Sequence, residues 1–264
     1  MIRAVVLARG LGTRMRARNA VADLTPEQAR AADAGLKAMM PLNGRPFLDY
    51  VLSAIADASV AHVGLIVAPD HTAIREYYEN GGRPTRVHLD YIVQPEALGT
   101  ANALLAAESW CGSDPFLVLN ADNLYPVAVL SALASLDEPG LAVFRRDALL
   151  RESNIPPERT RAFAVVESDR DGYLARIVEK PALAVDSPLI SMNCWRFDRR
   201  IFDACRDVPR SVRGEFELPE AVGLAVARGA RIRCVAGTGA VLDLSTRADT
   251  ADVERRLAGV NPAP

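Results

Sequence analysis

The segment IRAVVLARGLGTR, residues 2–14, joins a short apolar run to a glycine-rich turn. Apolar and β-branched residues fill most of the run from Ile2 to Ala8, as in a strand that is buried on both faces of a parallel sheet. The turn places Gly10 and Gly12 directly after this strand, where backbone N–H groups can approach an anion closely. The segment therefore predicts the first strand of an α/β sheet with an anion-binding loop at its carboxyl end.

Similar strand patterns alternate with helical patterns through the first half of the chain. Strands are predicted over residues 63–68, 89–93 and 116–119, and helices over residues 46–58, 70–78 and 100–110. The sequence Thr25-Pro26-Glu27-Gln28 has the N-cap, first-turn proline and capping-box glutamine that predict an extra helix over residues 26–35. This alternation predicts an α/β fold with a Rossmann-like, mixed but mostly parallel central sheet and helices on both faces.

The pattern changes after residue 138, where a hairpin is predicted around the turn at residues 169–172. We expect further strands over residues 189–197, 231–235 and 241–244, helices over residues 198–206, 217–228 and 246–257, and a frayed tail over residues 261–264. No repeat or low-complexity linker interrupts the chain. We therefore predict a single domain over residues 1–264 with two halves, residues 1–138 and 139–264.

The overall composition argues against several classes of protein. The net charge is -2, with 31 basic and 33 acidic residues and no basic stripe, so we predict no nucleic-acid partner. The four cysteines lack CxxC spacing and the three histidines lack a partner at i+3 or i+4, which argues against a zinc site and predicts reduced thiols. No apolar run reaches transmembrane length, so we predict a cytoplasmic protein without a membrane partner.

Lysine is rare in this sequence. Only Lys37 and Lys180 occur, and the other 29 of the 31 basic residues are arginines. A lysine retained against such a skew is a candidate for a role that needs a compact ammonium rather than a planar guanidinium. Lys37 lies in GLKAMMP and Lys180 in VEKP, and both contexts are typical of phosphate chemistry. The alternative is that both lysines are ordinary surface residues.

The glycine-rich turn differs from two common phosphate-binding motifs. A dinucleotide fingerprint would need a third glycine where Met15 stands, and the GxxxxGK[ST] pattern of a P-loop is absent. Arg14 closes the turn, from where its guanidinium could hold a pyrophosphate through paired charge-assisted hydrogen bonds. The alternative is a plain glycine turn with solvated arginines.

Taken in order, the motifs of the chain resemble those of the nucleotidylyltransferases that couple sugar 1-phosphates to nucleotides. The resemblance spans residues 2–257 and rests on LARGLGTR at 7–14 with Lys37, Gln94 with LGTA at 98–101, LVLNADN at 117–123, EKP at 179–181, GEFEL at 214–218 and LDL at 242–244. It implies the GT-A-like nucleotidylyltransferase fold. It also implies that residues 1–138 form a nucleotide-binding half and residues 139–264 a sugar-phosphate-binding half.

The resemblance also assigns roles to individual residues. It implies that a sugar-1-phosphate oxygen attacks the α-phosphorus of a nucleoside triphosphate (NTP), with Mg²⁺ as cofactor on Asp122 and Asp243. Arg14, Lys37 and Lys180 are the implied catalytic cations, and Glu179, Lys180 and Asn193 the implied sugar-phosphate contacts. The implied nucleotide contacts are Leu7, Ala8, Gly10, Gly12, Thr13, Gln94, Gly99 and Thr100.

Some residues depart from the family pattern. Arg9 stands where relatives usually have alanine or glycine, and we favour its contact with a base or phosphate over a solvent-facing role. Ala121 replaces the glycine that usually precedes the metal aspartate, and the segment between Arg16 and Lys37 is longer than in many relatives. Trp195 is either a core residue or a stacking platform for the acceptor, and its position in a predicted strand favours the core.

Several alternatives remain open at the level of sequence. The chain could activate a non-sugar phosphate, such as an alcohol or choline phosphate, or act as a non-catalytic nucleotide-sugar-binding regulatory protein. A glycosyltransferase would need a D-x-D motif, of which Asn120-Ala121-Asp122 has only the second aspartate. The sequence identifies neither the base nor the sugar, and a homo-oligomer is compatible with it.

Overall fold

The computed structural model describes residues 2–17, 22–181 and 187–264. Residues 18–21, within the long segment before Lys37, lie outside the described residues. The strands are β1 (Arg3–Leu7), β2 (Pro41–Leu42), β3 (Arg45–Pro46), β4 (His62–Val67), β5 (His88–Val93), β6 (Phe116–Asn120), β7 (Asn123–Leu124), β8 (Gly140–Arg145), β9 (Ala164–Ser168), β10 (Leu174–Val178), β11 (Leu189–Phe197), β12 (Arg233–Gly237) and β13 (Leu242–Asp243).

The helices separate these strands along most of the chain. They are α1 (Thr13–Arg16), α2 (Pro26–Ala34), α3 (Phe47–Asp57), α4 (Thr72–Asn80), α5 (Thr100–Ala106), α6 (Glu108–Cys111), α7 (Val127–Ala134), α8 (Arg146–Glu152), α9 (Ile201–Asp207), α10 (Leu218–Ala227) and α11 (Asp249–Arg256). Two 3₁₀ turns span Lys37–Met39 and Pro157–Ala162. Within the described residues, no helix is both long and apolar enough to span a bilayer.

The main sheet has the order β10-β9-β11-β6-β1-β4-β5, with β8 also paired to β11 and β12 paired to β8. The strands β6, β1, β4 and β5 are mutually parallel. The long strand β11 joins this parallel half to β8 and β9 by antiparallel pairing. The α/β fold class predicted from the sequence is confirmed.

Helices cover both faces of the sheet because its central strands are apolar on both sides. In β1, Ala4 and Val6 belong to the core that packs beneath α3, α4 and α7, whereas Val5 belongs to the core beneath α5, α9 and α10. Trp195 lies in the second core, fully buried and stacked on Phe197. Its predicted role as a core residue is confirmed.

Most predicted elements are present, but two predicted helices and one predicted strand need correction. The helix predicted over 100–110 is broken at Ala107, which separates α5 from α6. The terminal helix begins at Asp249 rather than at 246, because the Asp249 carboxylate accepts the N–H groups of Ser245 and Thr246 in a preceding loop. The strand at 241–244 is reduced to β13, which pairs with β7 outside the main sheet.

The carboxyl-terminal tail is ordered, contrary to the prediction that it frays. The Pro264 carbonyl accepts hydrogen bonds from the N–H groups of Thr85 and Arg86, at 2.8 and 3.1 Å. The Ala263 N–H donates to the Ser53 hydroxyl at 3.2 Å. These bonds satisfy backbone groups that a frayed tail would leave to water, and they are non-local contacts that sequence patterns do not reveal.

Candidate active site

Two parallel strands end side by side where the candidate site begins. Leu7 at the end of β1 is in register with Asn120 at the end of β6, and the Ala121 N–H donates to the Leu7 carbonyl at 3.1 Å. Open α/β sheets bind their ligands beyond such carboxyl ends. A cavity of about 590 Å³ opens here, and the predicted site residues that line it are Leu7, Ala8, Gly10, Gly12, Thr13, Arg14, Lys37, Gln94, Gly99, Thr100, Asp122 and Lys180.

The glycine-rich loop is fixed against the end of α2. Gly12 has φ +62° and is the N-cap of α1, and a Cβ on it would lie 2.2 Å from the Gly35 carbonyl oxygen. Only glycine tolerates both the backbone conformation and this close approach. The inserted helix α2, which has the predicted capping box between Thr25 and Gln28, therefore supports the loop.

Lys37 and Asp122 form an ion pair at the wall of the cavity. The Lys37 Nζ lies 2.8 Å from Asp122 Oδ2, and the two side chains are 15% and 27% exposed. Asp122 follows β6, and Lys37 begins the 3₁₀ turn after α2. The pair thus brings one of the two lysines to the end of the central parallel strands.

Asp243 is more deeply held than Asp122. Its Oδ2 accepts a hydrogen bond from Arg159 at 2.9 Å, and its Oδ1 accepts from Asn123 and Ser245, each at 3.2 Å. The Asn154 side chain accepts from the Asp243 N–H and donates to its carbonyl, both at 2.8 Å. The sequence predictions included neither Arg159 nor Asn154, because the three segments meet only in the folded chain.

The two aspartates are suitable ligands for a divalent cation. The Leu244 N–H donates to the Asp122 carbonyl at 2.9 Å, which holds the two segments together. Burial raises the pKa of Asp243, and the nearby Asp122 carboxylate raises it further. Each oxygen can accept more than one donor, and Mg²⁺ needs only one or two carboxylates when phosphate oxygens complete its shell. Among the described residues no cluster of three or more His, Cys, Asp or Glu side chains could hold a metal alone.

The Gln94 side chain is buried and partly committed to protein contacts. Its Nε2 donates to Asn102 Oδ1 at 2.8 Å and to the Gly99 carbonyl at 3.3 Å. Arg9 lines the cavity beside it, and its guanidinium donates to the Gln94 and Pro95 carbonyls at 3.4 and 3.3 Å. The unusual arginine at position 9 thus connects the glycine-rich loop to the segment predicted to contact the base.

Gly99 and Thr100 have structural contacts that the sequence interpretation missed. A Cβ on Gly99, where φ is +106°, would lie 2.5 Å from the Phe216 carbonyl oxygen. The Thr100 hydroxyl accepts the Leu218 N–H at 2.9 Å, at the start of α10. Close packing against the GEFEL segment is therefore sufficient to require glycine at position 99, whether or not this residue also contacts a base.

The second lysine lies in a cluster of charged groups. Lys180 has φ +41°, a strained value for a residue with a Cβ, and its Nζ lies 3.4 Å from Glu179 Oε1. Arg213 lies 3.9 Å from the same oxygen and also pairs with Glu217. Burial raises the pKa of Glu179, whereas Lys180 and then Arg213 oppose this rise. Both Lys180 and Arg213 line the cavity.

Arg213 is a candidate functional residue that the sequence predictions omitted. It immediately precedes Gly214 and Glu215, the start of the GEFEL motif, and this position was the available signal. Among the 29 arginines of the chain, however, no local pattern distinguishes it. Its selection depends on the tertiary contact with Glu179.

Asn193 is not among the residues that line the cavity in the described part of the chain. It lies in β11 with φ +58°, and its Oδ1 is buried without a hydrogen-bond partner within the described residues. Antiparallel pairing of Trp195 with Val118 places Asn193 near the carboxyl end of β6. Asn193 is therefore a neighbour of the site, and Glu179 and Asp243 are likewise not among the described residues that line the cavity.

Comparison with known proteins identifies the family of the chain. The nucleotidyl transferase family model matches residues 3–257. The UTP–glucose-1-phosphate uridylyltransferase AglF of Haloferax volcanii is 27% identical over 97% of this chain and 96% of its own length. A glucose-1-phosphate thymidylyltransferase of Streptomyces antibioticus is 30% identical over 97% of this chain, which spans 66% of that protein.

A solved structure shows the same fold. A UDP-glucose pyrophosphorylase complexed with UDP-glucose superposes with a TM-score of 0.78 at 18% identity, over 99% of this chain and 100% of that one. At this identity the likeness concerns the fold alone. The family model extends over almost the whole sequence, and on that basis the chain belongs to the nucleotidyl transferase family.

Proposed function

We propose that this protein transfers a nucleotidyl group from an NTP to a sugar 1-phosphate, giving a nucleoside diphosphate sugar and pyrophosphate. The observation that carries the proposal is the placement of the two lysines. Lys37 and Lys180 come from distant parts of the chain, yet both line the cavity that the glycine-rich loop borders. Two anionic substrates can react there only if cations reduce their mutual repulsion.

In the reaction, an oxygen of the sugar phosphate attacks the α-phosphorus, and the bond from that phosphorus to the bridging oxygen of pyrophosphate breaks. Arg14 holds the leaving pyrophosphate, and Lys37 contacts the triphosphate as charge develops on the α-phosphate. No covalent enzyme intermediate is required, so the protein contributes positioning and charge neutralisation. These roles agree with the chemistry of the two cations at the phosphate side of the cavity.

The acceptor occupies the side of the cavity formed by Lys180 and Arg213. Their cationic groups bind the phosphate of the sugar 1-phosphate, whereas the Glu179 carboxylate accepts hydrogen bonds from sugar hydroxyls. Asn193 is a further candidate contact for a hydroxyl, since its side-chain Oδ1 lacks a hydrogen-bond partner within the described residues. Lys180 and Arg213 also oppose the rise in the pKa of Glu179 that its burial causes.

Asp122 and Asp243 are the residues that would hold Mg²⁺. When bound, this cation neutralises phosphate charge and orients the phosphate oxygens. Arg159 and Ser245 hold the Asp243 carboxylate in place for this purpose, and Asn154 holds the Asp243 backbone.

The nucleoside is bound by the first half of the chain, residues 1–138, and the sugar phosphate mainly by residues 139–264. The backbone of Leu7, Ala8, Gly10, Gly12 and Thr13 contacts the nucleotide, and Gln94, Gly99 and Thr100 border the base. The cysteines among the described residues carry free thiols, which supports a reducing compartment such as the cytoplasm.

The proposal is tested by a pyrophosphate-release screen of the purified chain. Each common NTP, including dTTP, is combined with a panel of sugar 1-phosphates and with choline phosphate, in the presence of Mg²⁺. We expect release with at least one sugar 1-phosphate, and none with the Asp122→Asn variant on the same pair. If pyrophosphate is released only with choline phosphate, the acceptor is an alcohol phosphate and not a sugar 1-phosphate. If the folded protein releases no pyrophosphate with any pair of substrates, the proposal is contradicted and a regulatory role is favoured.

A further inference from the structure

A buried arginine outside the predicted site connects the loop after β13 with α1, the short helix that follows the glycine-rich turn. Arg247 is 9% exposed, and its Nε donates to the Met15 carbonyl at 2.9 Å. Its Nη2 donates to the Arg16 carbonyl at 3.2 Å and to the Asp33 carboxylate. One guanidinium thus contacts the end of α1, the end of α2 and, through its own backbone, the segment that holds Asp243.

The contacts on α1 are of a kind that fixes the position of a short helix. The last carbonyl groups of any helix lack intrahelical partners, and a cation that binds them stabilises that end. The helix α1 contains four residues, two of which are Thr13 and Arg14 at the cavity. A helix of this length is not stable alone, so its position depends on such tertiary contacts.

Other contacts of α1 come from the same region of α2. The Arg16 Nη2 donates to the Ala34 carbonyl at 2.9 Å, and Gly12 packs against Gly35. Arg247 joins this pair of helices to the loop four residues after Asp243. Arg247 therefore links the helix that carries the proposed pyrophosphate-binding groups to the segment that carries a proposed metal ligand.

We propose that Arg247 is a positioning residue that holds Thr13 and Arg14 in the place where they bind the phosphates of the nucleotide. This inference rests on the proposed function, because it assumes that these residues contact those phosphates. Arginine is required because its planar group donates to three oxygens in fixed directions from two nitrogens. Lysine at position 247 would keep the charge but concentrate its donors on one nitrogen, and would loosen α1.

The test uses Arg247→Lys with Arg196→Lys as the matched control. Arg196 is 7% exposed and also donates to a backbone carbonyl, that of Ala134, at 2.9 Å. It lies opposite Leu117, toward the amino end of β6 and away from the cavity. Both substitutions exchange one buried guanidinium for an ammonium, so a general loss of stability would affect both variants.

Two measurements distinguish a positioning role from a structural one. Hydrogen exchange of the unliganded protein reports on the N–H groups of Arg16 and Ala17, which donate to the Gly12 and Thr13 carbonyls. Calorimetry with inorganic pyrophosphate and Mg²⁺ reports on the phosphate site independently of the base. We expect Arg247→Lys to accelerate this exchange because α1 is held less firmly. We also expect pyrophosphate binding to weaken about tenfold, the equivalent of one hydrogen bond from a misplaced Thr13 or Arg14 to the charged ligand. Arg196→Lys should change neither.

Asp33→Asn provides a second variant if Arg247→Lys does not fold. The Asp33 side chain is 68% exposed, so the substitution introduces no buried defect, and we expect a smaller change in the same direction. Exchange or pyrophosphate affinity at the wild-type value in the folded variants would overturn the inference. So would an equal effect of Arg196→Lys. If the wild-type protein binds pyrophosphate but gives no product in the release screen, the proposed function is contradicted. Hydrogen exchange and calorimetry would then still decide whether Arg247 positions the phosphate site.

Discussion

The Lys37 Nζ lies 2.8 Å from the Asp122 Oδ2, so that the first lysine of the chain is paired with the first predicted metal ligand. Asp243, the second predicted ligand, is paired in the same way with Arg159 at 2.9 Å. Each carboxylate of the candidate metal site therefore has a protein cation beside it. Under the proposed function, Mg²⁺ on Asp122 would leave the Lys37 ammonium available for a phosphate oxygen, so the charge balance of the site would depend on Asp122.

Asp122→Asn should remove turnover and leave the fold intact. The substitution eliminates a carboxylate that we propose helps hold Mg²⁺, and metal stabilisation of several kcal/mol corresponds to a decrease in kcat of about a thousandfold or more. The lost ion pair is partly exposed, so we expect a change of only about 1 kcal/mol in the free energy of unfolding. Pyrophosphate release and thermal unfolding measure the two effects, and near-normal activity would contradict the metal assignment.

Lys180→Arg tests whether the second lysine needs the shape of an ammonium. Arginine keeps the charge beside Glu179 but replaces a compact donor with a planar fork. We expect the acceptor KM to rise or kcat to fall by roughly tenfold, the equivalent of one hydrogen bond to a charged group, while the NTP KM is unchanged. Arg176→Lys is a suitable control, because that arginine is 62% exposed in its pair with Glu167. Equal kinetics for Lys180→Arg and wild type would refute this role for Lys180.

Glu179 should give the acceptor step a dependence on pH in the acid range. Burial raises its pKa above the ordinary value of 4.5, so the carboxylate ionises only as pH rises through this higher folded-state value. Protonation of Glu179 therefore stabilises the folded state relative to the unfolded chain at low pH. This contribution is fully present below pH 4.5 and is lost as pH rises through the folded-state pKa. Hydrogen bonding to sugar hydroxyls by the carboxylate changes in the opposite direction and is gained as pH rises.

We therefore expect kcat/KM for the acceptor to increase with pH, with a midpoint above 4.5. Glu179→Gln should lower the plateau by about tenfold or more and remove this dependence. Glu217 also has its pKa raised by burial and faces Arg213, so the Glu217→Gln profile identifies its share of the titration. A profile that Glu179→Gln leaves unchanged would show that Glu179 does not titrate in this step.

The parts of the fold that the sequence predicts well are those set by local rules. The strands β1, β4 and β6 are largely apolar runs, β5 is apolar apart from His88 and Asp90, and α2 begins at a complete capping box, so local patterns identify them. The helix predicted over 100–110 also has the right periodicity, but its break at Ala107 depends on packing and has no local signal. The short elements β2, β3 and β7 are too short to produce any pattern.

The candidate site is predictable only to the extent that motifs mark it. Asp122 and Lys180 lie in recognisable segments, whereas Arg159 and Asn154 are ordinary residues of an irregular region. Their role follows from hydrogen bonds to Asp243, which is 84 and 89 residues away in the chain. Arg247 is equally inconspicuous among the arginines, since sequence patterns do not contain such long-range contacts.

Asn193 offers a test in which stability and function should change in opposite directions. Its φ of +58° and its buried Oδ1, which has no hydrogen-bond partner in the described part of the chain, each cost free energy in the folded state. Asn193→Gly removes both costs but increases the entropy of the unfolded chain, so we expect a net gain of about 1 kcal/mol and a rise in Tm of about 2–4 °C. If the Oδ1 accepts a hydrogen bond from a hydroxyl of the sugar phosphate, the acceptor KM should rise by about tenfold.

Asn193→Ala is the control, because it removes the same oxygen but keeps a Cβ at positive φ. It should raise the KM equally with a smaller gain in Tm. A lower Tm for Asn193→Gly would show that the oxygen has a partner in the folded protein, and an unchanged KM would remove Asn193 from the acceptor site.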